Sequence, residues 1–135
     1  MHSLIADILA QRRFAVVGAS RDTEKYGYRV YKALKRAGYE AYAVNPNAET
    51  IDGDQVYPLL DTVPERPDCV VTVVPPEVTL EIAREAGRLR IPYMWMQPGS
   101  ESLAAVNQAR SAGLRIVHGG PCIMVAVATA RHSPG

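Results

Sequence analysis

The chain has 135 residues, 47% hydrophobic and 21% charged, and 15 Lys+Arg against 14 Asp+Glu give a formal net charge of +1. That length suits one domain of about 100–150 residues, and high apolar content with so little net charge excludes disorder. Near-neutrality argues against a protein that holds nucleic acid mainly through phosphate contacts, while two cysteines and three scattered histidines exclude a disulfide scaffold and offer no metal-ligand spacing.

Leu4, Ile5, Ile8 and Leu9 recur at helical spacing and predict a short amphipathic helix over 2–12. Phe14-Ala15-Val16-Val17, stopped by Gly18, reads as a buried parallel strand. Over 27–37 the apolar Tyr28, Val30, Tyr31 and Leu34 mix with Arg29, Lys32, Lys35 and Arg36, predicting a helix with a solvated basic face that Gly38 ends. Ala41-Tyr42-Ala43-Val44 is a second strand, closed by Asn45-Pro46-Asn47. Residues 48–68 are rich in turn formers, with one short strand expected near Gln55-Val56-Tyr57. Cys69-Val70-Val71-Thr72-Val73-Val74 carries the strongest strand pattern and stops at Pro75-Pro76. A helix over 78–89 follows, then the strand Tyr93-Met94-Trp95-Met96, ended by Gln97-Pro98-Gly99-Ser100. Another helix over 101–112, a strand over 114–117 and an apolar closing helix over 122–130 complete the pattern.

Strands that alternate with helices call for a parallel sheet covered on both faces, because parallel strands need crossover connections. The fold class is therefore α/β: one doubly wound domain over 1–135 with a mostly parallel five- or six-stranded sheet. No run of about 18 apolar residues is present, and the first residues lack the pattern of a secretory signal. A cytoplasmic protein with no membrane partner is expected.

In such folds the ligand lies beyond the carboxyl ends of the strands, at the topological switch point. Those ends carry Gly18-Ala19-Ser20-Arg21, Asn45-Pro46-Asn47, Val74-Pro75-Pro76, Met96-Gln97-Pro98-Gly99 and His118-Gly119-Gly120-Pro121-Cys122. Turn residues are needed at any strand end, but five such ends together predict a cleft. In the first loop, Gly18-Ala19-Ser20 allows a tight turn whose amides and Ser20 hydroxyl suit phosphate oxygens above a helix start. Arg21, Lys25 and Arg29 add three cations nearby. The dinucleotide fingerprint G-x-G-x-x-G is matched only at Gly18, with Ser20 and Thr23 at the other two positions. Asn45 stands where an acidic residue would accept from a ribose hydroxyl. An NAD(P)-binding redox sensor or oxidoreductase is thus the alternative reading.

Together these segments resemble the small stand-alone CoA-binding proteins of bacteria, whose domain is similar to the N-terminal nucleotide-binding domain of the succinyl-CoA synthetase alpha subunit. The likeness rests on Val17-Gly18-Ala19-Ser20, Val44-Asn45-Pro46, Ile51-Asp52-Gly53 leading to Tyr57-Pro58, the valine strand into Pro75, Trp95-Met96-Gln97-Pro98-Gly99 and Gly119-Gly120-Pro121-Cys122-Ile123. It implies a Rossmann-like fold and CoA as ligand, and the leading reading is a module that holds CoA or acyl-CoA without catalysis. Contacts are implied at Gly18, Ala19, Ser20 and Arg21, at Pro46 and Asn47, and at Trp95, Met96 and Gln97. The 3′-phosphate and diphosphate of CoA would give Arg21 and Lys25 an electrostatic role. Asn45 would line the nucleotide side, and Val74 and Pro75 stand at the neighbouring strand end. A synthetase needs a second domain with a phosphorylated histidine and an ATP-activating partner subunit, which 135 residues do not hold. His118 follows the last strand, His2 and His132 are terminal and without a role, and Cys69 reads as core. Cys122, before a helix, is either a small packing residue or a thiol able to form a mixed disulfide with CoA. Glu77 and Glu101 read as helix-start carboxylates. An exposed helix leaves room for a homo-oligomer without specifying one.

Overall fold

The computed structural model describes residues 3–47 and 49–131; His2 and His132 lie outside the described residues. Its elements in chain order are α1 (Leu4–Leu9), β1 (Arg13–Val17), α2 (Tyr26–Arg36), β2 (Glu40–Val44), β3 (Thr50–Ile51), β4 (Asp54–Tyr57), a 3-10 turn (Leu60–Thr62), β5 (Cys69–Thr72), α3 (Pro76–Arg88), β6 (Tyr93–Met96), α4 (Leu103–Ser111), β7 (Arg115–Val117) and α5 (Ile123–Arg131). The strands form one sheet in the order β3-β4-β2-β1-β5-β6-β7. All neighbours run parallel except β3, which pairs antiparallel with β4. The sheet therefore has seven strands rather than five or six. Its six parallel members follow the Rossmann-like order, with the switch point between β1 and β5.

Strand side chains alternate between two buried faces. Phe14, Val16, Cys69, Val71, Trp95 and Val117 point to the side covered by α1, α2 and α5, where they meet Ile8, Val30, Leu34, Ile123 and Val127. Ala15, Val17, Val70, Met94, Met96 and Ile116 point the other way, onto Ala83 and Ala86 of α3 and Ala105, Val106 and Ala109 of α4. Phe14, Leu34 and Trp95 are fully buried, and burial of a large apolar side chain contributes about 2 kcal/mol each. Burial also pushes the Cys69 thiol pKa up, with a smaller push from the Asp68 charge.

Element boundaries shift where side chains cap the backbone. Ser102 Oγ accepts from Ala105 N at 3.1 Å, so α4 starts at Leu103 rather than at Glu101. Pro76 opens α3 two residues early, because proline lacks the N–H that the first helical turn leaves unpaired.

The basic face of α2 is not simply solvated. Between β3 and β4, Asp52 and Gly53 have φ of 51° and 86°, the left-handed pair that suits a tight hairpin. This hairpin docks on α2: Tyr28 donates its hydroxyl to Asp52 and Tyr31 to Asp54, each at 2.7 Å. Lys32 and Lys35 pair with the same two carboxylates at 3.1 Å. The tyrosine hydrogen bonds, then the lysines, hold both aspartates below the usual carboxylate range.

Candidate functional site

At the carboxyl end of β1, Gly18 turns with φ +99°, and its amide still donates to Val44 O at 2.9 Å. A Cβ built there would lie 2.2 Å from the Val73 carbonyl oxygen, and one on Gly27 would lie 1.9 Å from the Gly18 carbonyl oxygen. Glycine at both positions lets the first turn of α2 press directly on the loop. Gly27, rather than Thr23, thus fills the close-packing role of a third glycine. The signal lay in its place at the start of the helix.

Between Gly18 and α2 the chain folds into local turns. Ser20 Oγ accepts from Asp22 N at 3.0 Å, which leaves its hydroxyl hydrogen free to donate elsewhere, and Asp22 Oδ1 accepts from Glu24 N at 3.0 Å. No side chain caps α2. The amides of Tyr26, Gly27 and Tyr28 have no backbone or side-chain acceptor among the described residues. These donors sit at the positive end of the α2 dipole and fit an anion. Ala19 is buried, while Arg21 and Lys25 are exposed with no ion-pair partner among the described residues.

Beside this turn opens a cleft of about 480 Å³. Gly18, Asn45, Pro46, Asn47 and Val74, all selected from the sequence, border it together with Val44. The Asn45 carboxamide is already engaged: it donates to Ala19 O and accepts from Asn47 N, both at 2.8 Å. It splints the second turn to the first. The opposite wall was missed in the sequence and comes from Leu59 and Leu60 and from Val78, Glu81, Ile82 and Glu85 of α3. Its only trace was the i, i+4 spacing of Val78 with Ile82 and of Glu81 with Glu85.

Two further hollows continue along the strand ends. One of about 450 Å³ lies between Val73-Val74-Pro75-Pro76 and Pro98-Gly99-Ser100. Another of about 160 Å³ is lined by Tyr26, Val73, Gln97, Pro98 and Cys122. Val74 is shared by the cleft and the first hollow, and Val73 and Pro98 by the two hollows.

Trp95 and Met96 do not stand where the sequence reading put them. Both are fully buried, on opposite faces of the sheet, and Trp95 Nε1 donates to Pro121 O at 3.0 Å. The alternation of a doubly covered strand sends consecutive residues into the two cores, away from the strand end. Gln97, one residue past the strand, accepts from Ile123 N at 2.8 Å and reaches Cys122 Sγ with its amide at 3.3 Å. Thr72 and Ser100 share a hydroxyl hydrogen bond of 3.0 Å beneath it. Glu101 accepts from Gly99 N at 2.9 Å and Gly119 N at 3.2 Å, tying two loops together instead of opening a helix. His118 Nε2 lies 3.4 Å from the Arg110 guanidinium. Among the described residues no three His, Cys, Asp or Glu are grouped to hold a metal ion, and no helix is long and apolar enough to cross a membrane.

The chain is similar to several known proteins. It is 36% identical over 77 residues to the alpha subunit of an ADP-forming acetate–CoA ligase II from Pyrococcus furiosus, covering 56% of this chain and 17% of that subunit. The chain thus spans a small part of the ligase relatives it matches. An uncharacterized Bacillus subtilis protein, YneT, is 30% identical over 94% of both chains. The structure of a conserved hypothetical protein from Pyrococcus furiosus superposes with a TM-score of 0.79 at 39% identity, covering 84% of this chain and 97% of that one. Residues 12–128 match the model of the CoA binding domain family, and the chain belongs to that family.

Proposed function

We propose that the protein binds CoA across the carboxyl ends of β1, β2 and β5 and holds it, free or acylated, without turning it over. The observation that carries this reading is the amino end of α2, without an acceptor for its first amides among the described residues, pressed onto the Gly18 turn and opening beside a largely apolar cleft. The diphosphate of CoA meets the α2 amides and the Ser20 hydroxyl, with Arg21 and Lys25 offsetting its charge. The nucleoside enters between Asn45-Pro46-Asn47 and α3. The pantetheine arm follows Val73, Val74, Pro75 and Pro98 toward Gln97, and the open hollow beside Pro98 leaves room for an acyl group.

Membership in the CoA binding domain family supports CoA over a nicotinamide dinucleotide. The end of β2 agrees, since its polar side chain is a carboxamide already engaged with the protein. Calorimetric titration of the reduced protein with CoA, and with NAD and NADP as matched controls, tests the reading. Saturable binding of CoA alone is expected. Silence with CoA and heat with NAD would overturn it and make Gly18 the anchor of a degenerate dinucleotide site.

A further inference from the structure

The cleft between the β2 turn and α3 carries charge of one sign. Glu81 and Glu85 line it, and none of its other lining residues is Lys or Arg. Glu81 is held by Arg84 at 2.7 Å on an exposed part of the helix. Glu85 differs: only 20% of its side chain is accessible, and its one ion-pair partner among the described residues, Arg88, stands 3.9 Å away, beyond hydrogen-bond range. A partly enclosed carboxylate with open acceptor capacity sits in the wall of a cleft that Val17, Leu60, Val78 and Ile82 also line, with Asn45 and Asn47 at its other side. Such a wall suits a flat heterocycle. Its carboxylate favours a hydrogen-bond donor and repels a group that offers only lone pairs.

We propose that Glu85 is a specificity-determining residue of this cleft, selecting a purine that bears an exocyclic amine over one with a carbonyl in its place. The inference rests on the CoA reading, because it names the part of that ligand which enters the cleft. An adenine amine presents N–H to the carboxylate, whereas the oxygen of hypoxanthine presents lone pairs to it.

The full chain is titrated with two ligand pairs: CoA against its deaminated counterpart, which carries hypoxanthine for adenine, and ADP against IDP. The wild-type protein should favour the amino form about tenfold, the factor expected from one hydrogen bond to a charged group. Glu85→Gln, whose carboxamide can donate to the hypoxanthine oxygen, should bring the ratio toward parity. An unchanged urea midpoint for Glu85→Gln would show that the variant keeps its fold; if it is lost, the wild-type ratio alone decides. Equal affinity of the wild-type protein for amino and deaminated forms overturns the selection, as does a ratio unchanged in Glu85→Gln. CoA binding with no base preference defeats this inference and leaves the proposed function standing. Preference for ADP over IDP without CoA binding does the reverse, and failure of all four ligands defeats both.

Discussion

At the amino ends of β1, β2 and β5 the charged groups hold one another. Asp68 accepts from Arg12 N at 3.2 Å and Arg13 N at 2.9 Å, while the Arg13 guanidinium bridges Glu40 at 3.3 Å and Glu65 at 2.9 Å. Tyr42 donates to Glu40 at 3.0 Å. At the carboxyl ends of the same strands, Arg21 and Lys25 stand exposed, the first amides of α2 have no acceptor among the described residues, and a cleft of about 480 Å³ opens. One end pairs its charged groups with one another and the other leaves them available. A substitution at the first end should therefore register as stability, and one at the second as affinity.

Gly27→Ala should break that division most visibly. The added methyl would lie 1.9 Å from the Gly18 carbonyl oxygen, and relief by moving α2 should cost about 3 kcal/mol. Urea unfolding should show that loss together with weakened CoA binding, since the same contact builds fold and site. If stability falls and binding of the folded fraction is intact, the α2 terminus is not the phosphate cradle. Asp68→Ala comes next, at about 2 kcal/mol, because two backbone amides lose a charged acceptor; CoA titration should be unchanged. Arg21→Ala should leave the urea midpoint where it is and weaken CoA by about 1 kcal/mol, as for an exposed charge-assisted contact. Weakening confined to CoA over dephospho-CoA would put Arg21 at the 3′-phosphate, equal weakening at the diphosphate, and no change would remove it from the site.

The smallest effect concerns acid. Glu40 is held below the usual carboxylate range first by its hydrogen bond from Arg13 and then by Tyr42, and Asp52 and Asp54 by Tyr28 and Tyr31 with their lysines. As pH falls, the unfolded chain protonates these groups first. Their contribution is whole above about pH 4–5 and disappears as pH drops through the lower folded-state values. Asp52→Asn should flatten the acid limb of a plot of urea midpoint against pH and leave the neutral limb in place. An unchanged acid limb would show that the hairpin clamp adds nothing by ionisation.

The apolar runs at 14–17, 41–44, 69–72 and 93–96 announced their strands because both faces of each are buried or partly buried, and the strand ends announced where the ligand cleft would lie. Gly18, Asn45, Pro46, Asn47 and Val74 could be placed around that cleft from sequence alone. The far wall could not, since it depends on how the crossover helix α3 lies over the β1–β5 switch point. Two-residue β3 carries too little pattern to read, and Lys32 and Lys35 resemble a solvated face until their aspartate partners arrive from 20 and 19 positions away. Trp95 is not assignable from sequence, because a residue near a strand end can belong to either the core or the cleft, and register decides between them.

The order of the sheet places its shortest strands outermost: β3 has two residues and β7 three. A long exposed edge is a template on which neighbouring molecules add strand to strand. Here the exposed ladders end almost as soon as they begin, and one edge is folded back by a hairpin pinned to α2. A molecule built this way can accumulate in a crowded cell with little tendency to grow into fibrils through its sheet.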